Sequence, residues 1–150
     1  MADQFTKEVI VGASVDAAYR AWANFENFPH FMKYINSVTK TGERSSHWVM
    51  DGPLGKQIEW DADTTMLEPN RRIAWNSRDS GDITTSGQVL FKELGPNQTH
   101  ITVTLQYAPP AGKLGEVVAK IFSDPEQQLE EDLKHFKSYI EGSLSRAASA

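Results

Sequence analysis

The sequence predicts an α+β domain: a curved antiparallel sheet of about seven strands wrapped around one long C-terminal helix, with short helices between the first two strands. Three observations predict it. Seven short segments with strand character are separated by turn-length breaks rich in Gly, Pro, Asn, Asp and Ser. Helical spacing follows the first segment and returns at the end of the chain. Consecutive strands joined by short turns pair antiparallel, and the apolar face of such a sheet must be covered. The final helix is the element long enough to cover it.

Phe5 to Val11 is half apolar and ends at Gly12, as a first strand would. Ser14 then offers a cap oxygen, Asp16 suits the positive end of a helix, and Val15, Tyr19 and Trp22 share one helical face. Asn24 to Tyr34 is aromatic and interrupted by Pro29, so it fits one or two helical turns. Val38 to Arg44 and His47 to Asp51 are the next strands. Gly and Pro make residues 51–55 a hairpin loop.

The clearest strand puts Ile58, Trp60, Ala62, Thr64 and Met66 on one face and Glu59, Asp61 and Asp63 on the other. Glu68-Pro69-Asn70 is a turn. Ile73 and Trp75 mark the following strand, and residues 79–82 turn again. Thr84 to Leu94 and Thr99 to Tyr107 complete the set, joined by the turn Gly95-Pro96-Asn97. Pro109-Pro110 ends it, because proline donates nothing to a ladder. Leu114, Val117, Val118, Ile121 and Phe122 have helical spacing. Asp124, Pro125 and Gln127 then form a helix start, followed by the stripe Leu129, Leu133, Phe136, Ile140 and Leu144.

The chain has 150 residues, 39% of them hydrophobic and 23% charged, which suits one domain with a full core, here from about residue 5 to 142. A net charge of −5 argues against nucleic acid and anionic membranes as partners. The absence of cysteine excludes disulfides, thiolate metal sites and thiol nucleophiles. Asp3, Lys7 and Glu8 rule out a signal-peptide core in residues 1–11, and no apolar run approaches the ~20 residues that span a bilayer. A cytoplasmic protein with no integral membrane association is expected.

Candidate chemistry is sparse. His30, His47, His100 and His135 are scattered, without the spacing of a metal site, and no metal or cofactor is expected. Glu59, Asp61 and Asp63 read as a solvated strand face. Residues 52–56 lack phosphate-loop spacing, and Arg71-Arg72 reads as a solvated turn. No nucleophile elbow and no inward His, Asp or Glu stands out, so no catalytic residue is assigned. The aromatic set says more. Trp48, Trp60, Trp75, Phe91 and Tyr107 fall on strand faces expected to look inward, and Phe136 and Ile140 look back from the helix. Such a set is ordinarily core. A curved sheet over a helix also makes it the wall of an apolar pocket.

Four stretches resemble the START-like helix-grip superfamily, in particular its polyketide cyclase/dehydrase and lipid-transport group. They are residues 14–22 with 25–32, Trp48-Val49-Met50 with Ile58-Glu59-Trp60-Asp61-Ala62, residues 68–75, and Ser86-Gly87-Gln88-Val89-Leu90-Phe91. The resemblance implies a seven-stranded sheet gripping the last helix around a ligand cavity. It implies that Phe28, Phe31 and Met32 rim the mouth, with residues 113–122 as a second rim. It also implies two functions: binding of a lipid, quinone or polyketide-like molecule, or cyclisation and dehydration of a polyketide. The expected partner is a small hydrophobic ligand, with polar contacts from Thr64, Ser77, Thr85 and Tyr139.

Overall fold

A computed structural model describes residues 3–51, 57–78, 83–108 and 125–148. The expected loop at 51–55 beyond Asp51, the turn at 79–82, Pro109-Pro110, the rim at 113–122 and the cap at Asp124 lie outside the described residues. The elements are β1 Asp3–Val11, α1 Val15–Ala23, a 3₁₀ helix Phe25–His30, β2 Ile35–Lys40, β3 Ser45–Asp51, β4 Gln57–Glu68, β5 Arg72–Ser77, β6 Thr84–Gly95, β7 Gln98–Ala108 and α2 Pro125–Ala148. The seven strands form one antiparallel sheet in the order β1-β7-β6-β5-β4-β3-β2. Five of its six ladders join strands consecutive in the chain. The sixth, β1 on β7, brings the N-terminal strand to the far edge, with Phe5 opposite Leu105 and Val9 opposite Ile101.

Local chemistry sets the helix entrances and turns. The Ser14 Oγ accepts from the Ala17 amide at 3.1 Å, satisfying a free donor in the first turn of α1. Ala18 and Trp22 are buried on that helix, with Val15 and Tyr19 half-buried beside them. Pro29 sits inside the 3₁₀ helix, which ends at the next residue. Asn70 takes φ 62° in the turn between β4 and β5, a left-handed conformation asparagine tolerates, and the Arg71 amide closes the turn on the Glu68 carbonyl at 3.0 Å.

The long strand β4 departs from strict alternation. Ile58, Trp60, Ala62 and Thr64 are buried in step, but a bulge falls between Thr64 and Met66. The extra residue reverses the phase, so Leu67 and not Met66 packs against the main core. The acidic face of β4 points outward and is paired. His47 on β3 meets Glu59 at 2.9 Å and Asp61 at 3.0 Å, and Arg78 forks onto Asp63 at 2.8 and 3.1 Å.

α2 is held along β1 at both ends. Lys7 pairs with Glu126 at 3.2 Å, and the Gly12 amide donates to the Glu141 carboxylate at 2.7 Å. The main core fills the space between α1, α2 and the inner face of the sheet. Its centre is an aromatic cluster in which Phe136 meets Trp22 and Phe31 at centroid distances of 4.9 and 5.0 Å. A second cluster, Met50, Ile58, Trp60, Ala62 and Ile83, lies toward the other end of the strands. The site lies between the two.

Candidate functional site

A cavity of about 160 Å³ lies under the inner face of β3–β7, bounded by the 3₁₀ segment on one side and the first turns of α2 on another. Its wall is aromatic. Trp48 and Trp60 occupy directly opposed positions on β3 and β4, and their rings stack at 5.9 Å with planes 12° apart. Phe28 meets Trp48 edge-on at 5.1 Å, and Phe25 meets it at 6.0 Å. Trp75 enters from β5 opposite Gly87 of β6. A Cβ on Gly87 would lie 2.8 Å from the Trp75 ring and 2.3 Å from the Thr104 carbonyl, so the missing side chain makes room for the indole.

Of the residues the sequence singles out, Phe28, Met32, Trp48, Trp60 and Trp75 come together on this wall. Phe31, Phe91, Phe136 and Ile140 are placed elsewhere: they are buried in the main core. The reason is steric. Trp22, Phe31 and Phe136 interlock and fill the groove beside the later turns of α2, while Phe91 packs edge-on against Tyr19 at 5.6 Å. Among the described residues, the half of the groove near the start of α2 stays open, where Leu129 and Asp132 face it. Tyr107 pairs with Thr85 and Asp3 through its backbone in β7, and its side chain lies outside the described residues.

The expected polar contacts divide in the same way. Thr64 and Thr85 line the cavity. Ser77 does not; its hydroxyl accepts from the Thr85 amide at 2.9 Å. Tyr139 stacks on His30 at 5.7 Å in the core margin, away from the wall. The Thr85 hydroxyl donates to the Gln106 carbonyl at 3.1 Å, and Ser46 accepts from the Trp48 indole N–H at 2.8 Å. Among the described residues, the Thr64 hydroxyl has no partner, although Thr64 is only 6% exposed.

One wall residue overturns a sequence expectation. Asp132 is an inward carboxyl, 9% exposed. Its Oδ1 accepts from Gln128 Nε2 at 2.9 Å and from the Lys33 amide at 3.4 Å. Burial pushes its pKa up to about 6, against the lowering effect of those two bonds. A signal was available: Asp132 lies three residues after Leu129 and four before Phe136, within the apolar stripe. Trp22, Phe25, Met50 and Ile83 also line the cavity without having been singled out for it. Among the described residues, no group of three or more His, Asp or Glu side chains is placed to hold a metal ion.

A curled seven-stranded antiparallel sheet gripping a C-terminal helix over an apolar cavity defines the helix-grip, START-like fold. The family described as polyketide cyclase/dehydrase and lipid transport matches residues 11–134, and the chain belongs to it. An uncharacterised 17.2 kDa protein of Streptomyces lincolnensis is 30% identical over 135 residues, covering 90% of this chain and 87% of its own length. The Zhui aromatase/cyclase of Streptomyces sp. R1128 is similar in fold, with a TM-score of 0.75 at 17% identity over 94% of each chain. So is a START superfamily protein of Mycobacterium smegmatis, with a TM-score of 0.73 at 18% identity over 93% of this chain and 97% of that one. No helix among the described residues is long and apolar enough to cross a membrane.

Proposed function

We propose that the protein binds a small apolar or aromatic molecule in the cavity between the sheet and α2. The observation that carries this reading is the wall itself. Stacked Trp48 and Trp60, Trp75, Phe25 and Phe28 line a largely apolar space between the sheet and α2. Concave, mostly apolar pockets with a few polar groups on the wall are where small molecules bind. The family and its START-like fold agree with this reading.

A second reading, cyclisation or dehydration of a polyketide-like substrate in the same cavity, is favoured by the Asp132 carboxyl and by the aromatase/cyclase neighbour. A carboxyl with a pKa near 6 suits proton transfer at neutral pH. Binding is preferred because the described wall presents one carboxyl and no histidine to share the work of an acid and a base.

The test is a titration of quinones, fatty acids and aromatic polyketides, followed by tryptophan emission, with solvent extraction and mass spectrometry of the purified protein. Saturable emission changes are expected. Replacing Trp75 with Ala should weaken binding by about tenfold or more, because a buried aromatic contact is lost. Replacing the outward-facing Asp61 with Ala should leave binding unchanged. The reading fails if no compound shifts the emission and no ligand is extracted. Conversion of a polyketide to a cyclised or dehydrated product would establish the second reading.

A further inference from the structure

We propose that Asp132 is the specificity-determining residue of the cavity, and that it selects an occupant carrying a hydrogen-bond donor, a hydroxyl or an ammonium N–H, on an apolar or aromatic frame. This rests on the binding reading above and names the chemistry the cavity selects. Three observations converge on it. Asp132 is nine-tenths buried on the cavity wall, and no cation pairs with it among the described residues. Both of its donors, Gln128 Nε2 and the Lys33 amide, reach Oδ1, and no described residue donates to Oδ2. The cavity holds a second unmet group, the buried Thr64 hydroxyl.

Buried polar atoms without partners are costly, and a buried carboxylate oxygen more so than a hydroxyl. An occupant that brings a donor to Oδ2 meets that need, whereas an ether or a hydrocarbon leaves it unmet. The asymmetry makes Asp132 a filter, because a site built around a hydrogen bond rejects analogues that lack it. Thr64 both donates and accepts, so it adds affinity without selecting.

The carboxyl must be ionised to select a donor. Burial acts on it most, opposed by the bonds from the Gln128 side chain and from the Lys33 amide of the segment packed against it, while His135 and Glu131 of its own helix act in opposite directions. The Lys33 ammonium stands over the Tyr34 ring at 5.3 Å, and Tyr34 also lines the cavity. Selection is therefore expected at pH 8 and should fade at pH 5 as the carboxyl takes a proton.

The experiment measures four related compounds by calorimetry: naphthalene, 2-methoxynaphthalene, 2-naphthol and naphthylmethylamine. At pH 8 at least one of the two donor compounds should bind about tenfold more tightly than the ether, the size expected for a hydrogen bond to a charged group. A lead for the naphthol identifies a hydroxyl ligand, and a lead for the amine identifies an ammonium ligand. Asp132→Asn should abolish the preference for the naphthol, since its NH₂ would face the cavity and a hydroxyl and an ether both accept from it, and should disfavour the amine, whose ammonium has no acceptor. Equal binding of donors and ether by the parent protein overturns the proposal and leaves the binding reading standing, provided naphthalene binds. Binding of none overturns the proposal, and the binding reading falls with it only if the quinones, fatty acids and polyketides of the earlier titration fail as well. If the variant does not fold, the parent's donor preference and its loss at pH 5 still decide the matter. A merely structural Asp132 would move neither.

Discussion

Asp132 and His47 make the folded state respond to pH in neighbouring windows. Burial raises the Asp132 pKa from the ordinary aspartate range near 4 to about 6. The folded protein therefore holds a proton that the unfolded chain has released. Stability falls as pH rises from about 4 through about 6 and stays lower above that. Asp132→Asn is isosteric and cannot ionise, so it should raise the melting temperature by several degrees at pH 8 and leave it nearly unchanged at pH 4. His47 shifts upward for a different reason: its ring N–H groups donate to the Glu59 and Asp61 carboxylates, which favours the charged ring. That contribution is present below about pH 6.5 and is lost as pH rises through the folded pKa. His47→Gln should lower the melting temperature at pH 5 and converge on the parent at pH 9. Its effect should be the smaller, since His47 is one-third exposed and solvent screens it. Melting curves of the parent and both variants across this range check the pair. A gain for Asp132→Asn at pH 4 as large as that at pH 8 would contradict the assignment of a buried ionised carboxyl.

At the scale of the elements, strand packing decides how much space the site keeps. Gly87 of β6 lies opposite Trp75 of β5, and a Cβ there would press on both the indole and the Thr104 carbonyl. Gly87→Ala should destabilise the protein by about 1–3 kcal/mol through overpacking, with Trp75 displaced. Gly95→Ala, with nothing within 4 Å of the added Cβ, should be near neutral by the same denaturation measurement. Much of this level was legible in the sequence. Alternation from Ile58 to Thr64 and the Ser14 cap are local signals, and local signals survive into the structure. The bulge after Thr64 was not legible, because a one-residue slip depends on pairing with β5 and not on the apolar pattern of β4. Nor could the pattern tell cavity from core. Trp60 and Phe91 carry the same inward signature, yet one faces open space and the other packs on Tyr19. That difference is a matter of volume in three dimensions. Nor does the apolar stripe of α2 show that the charged Asp132 set among its residues turns into the cavity.

For the molecule as a whole, the size of the cavity sets the size of the occupant. A volume of about 160 Å³ is close to that of an engineered apolar cavity of ~150 Å³ that binds benzene, and below the ~300–1,000 Å³ of common drug-sized pockets. One- or two-ring aromatic compounds therefore match the cavity in its present shape. A long acyl chain or a multi-ring polyketide exceeds this volume, and admitting it by moving the Phe25–Met32 side away from β3 and β4 would break the ring contacts of Phe25 and Phe28 with Trp48. Such a ligand must use part of its binding energy for that opening, and its association must be slower. The prediction is a separation in both thermodynamics and kinetics. At one hundred times its dissociation constant, a two-ring ligand should stabilise the fold by ~2.7 kcal/mol, a rise in melting temperature of roughly 5–11 °C for a domain of this length. Stopped-flow tryptophan emission should show its association rate rising linearly with concentration. A sixteen-carbon fatty acid should bind more weakly per carbon, with an observed rate that levels off at the opening step. Equal, linear association of both ligands would mean that the wall between the 3₁₀ helix and the sheet opens freely in solution. In that case the volume of about 160 Å³ would not limit what the protein holds.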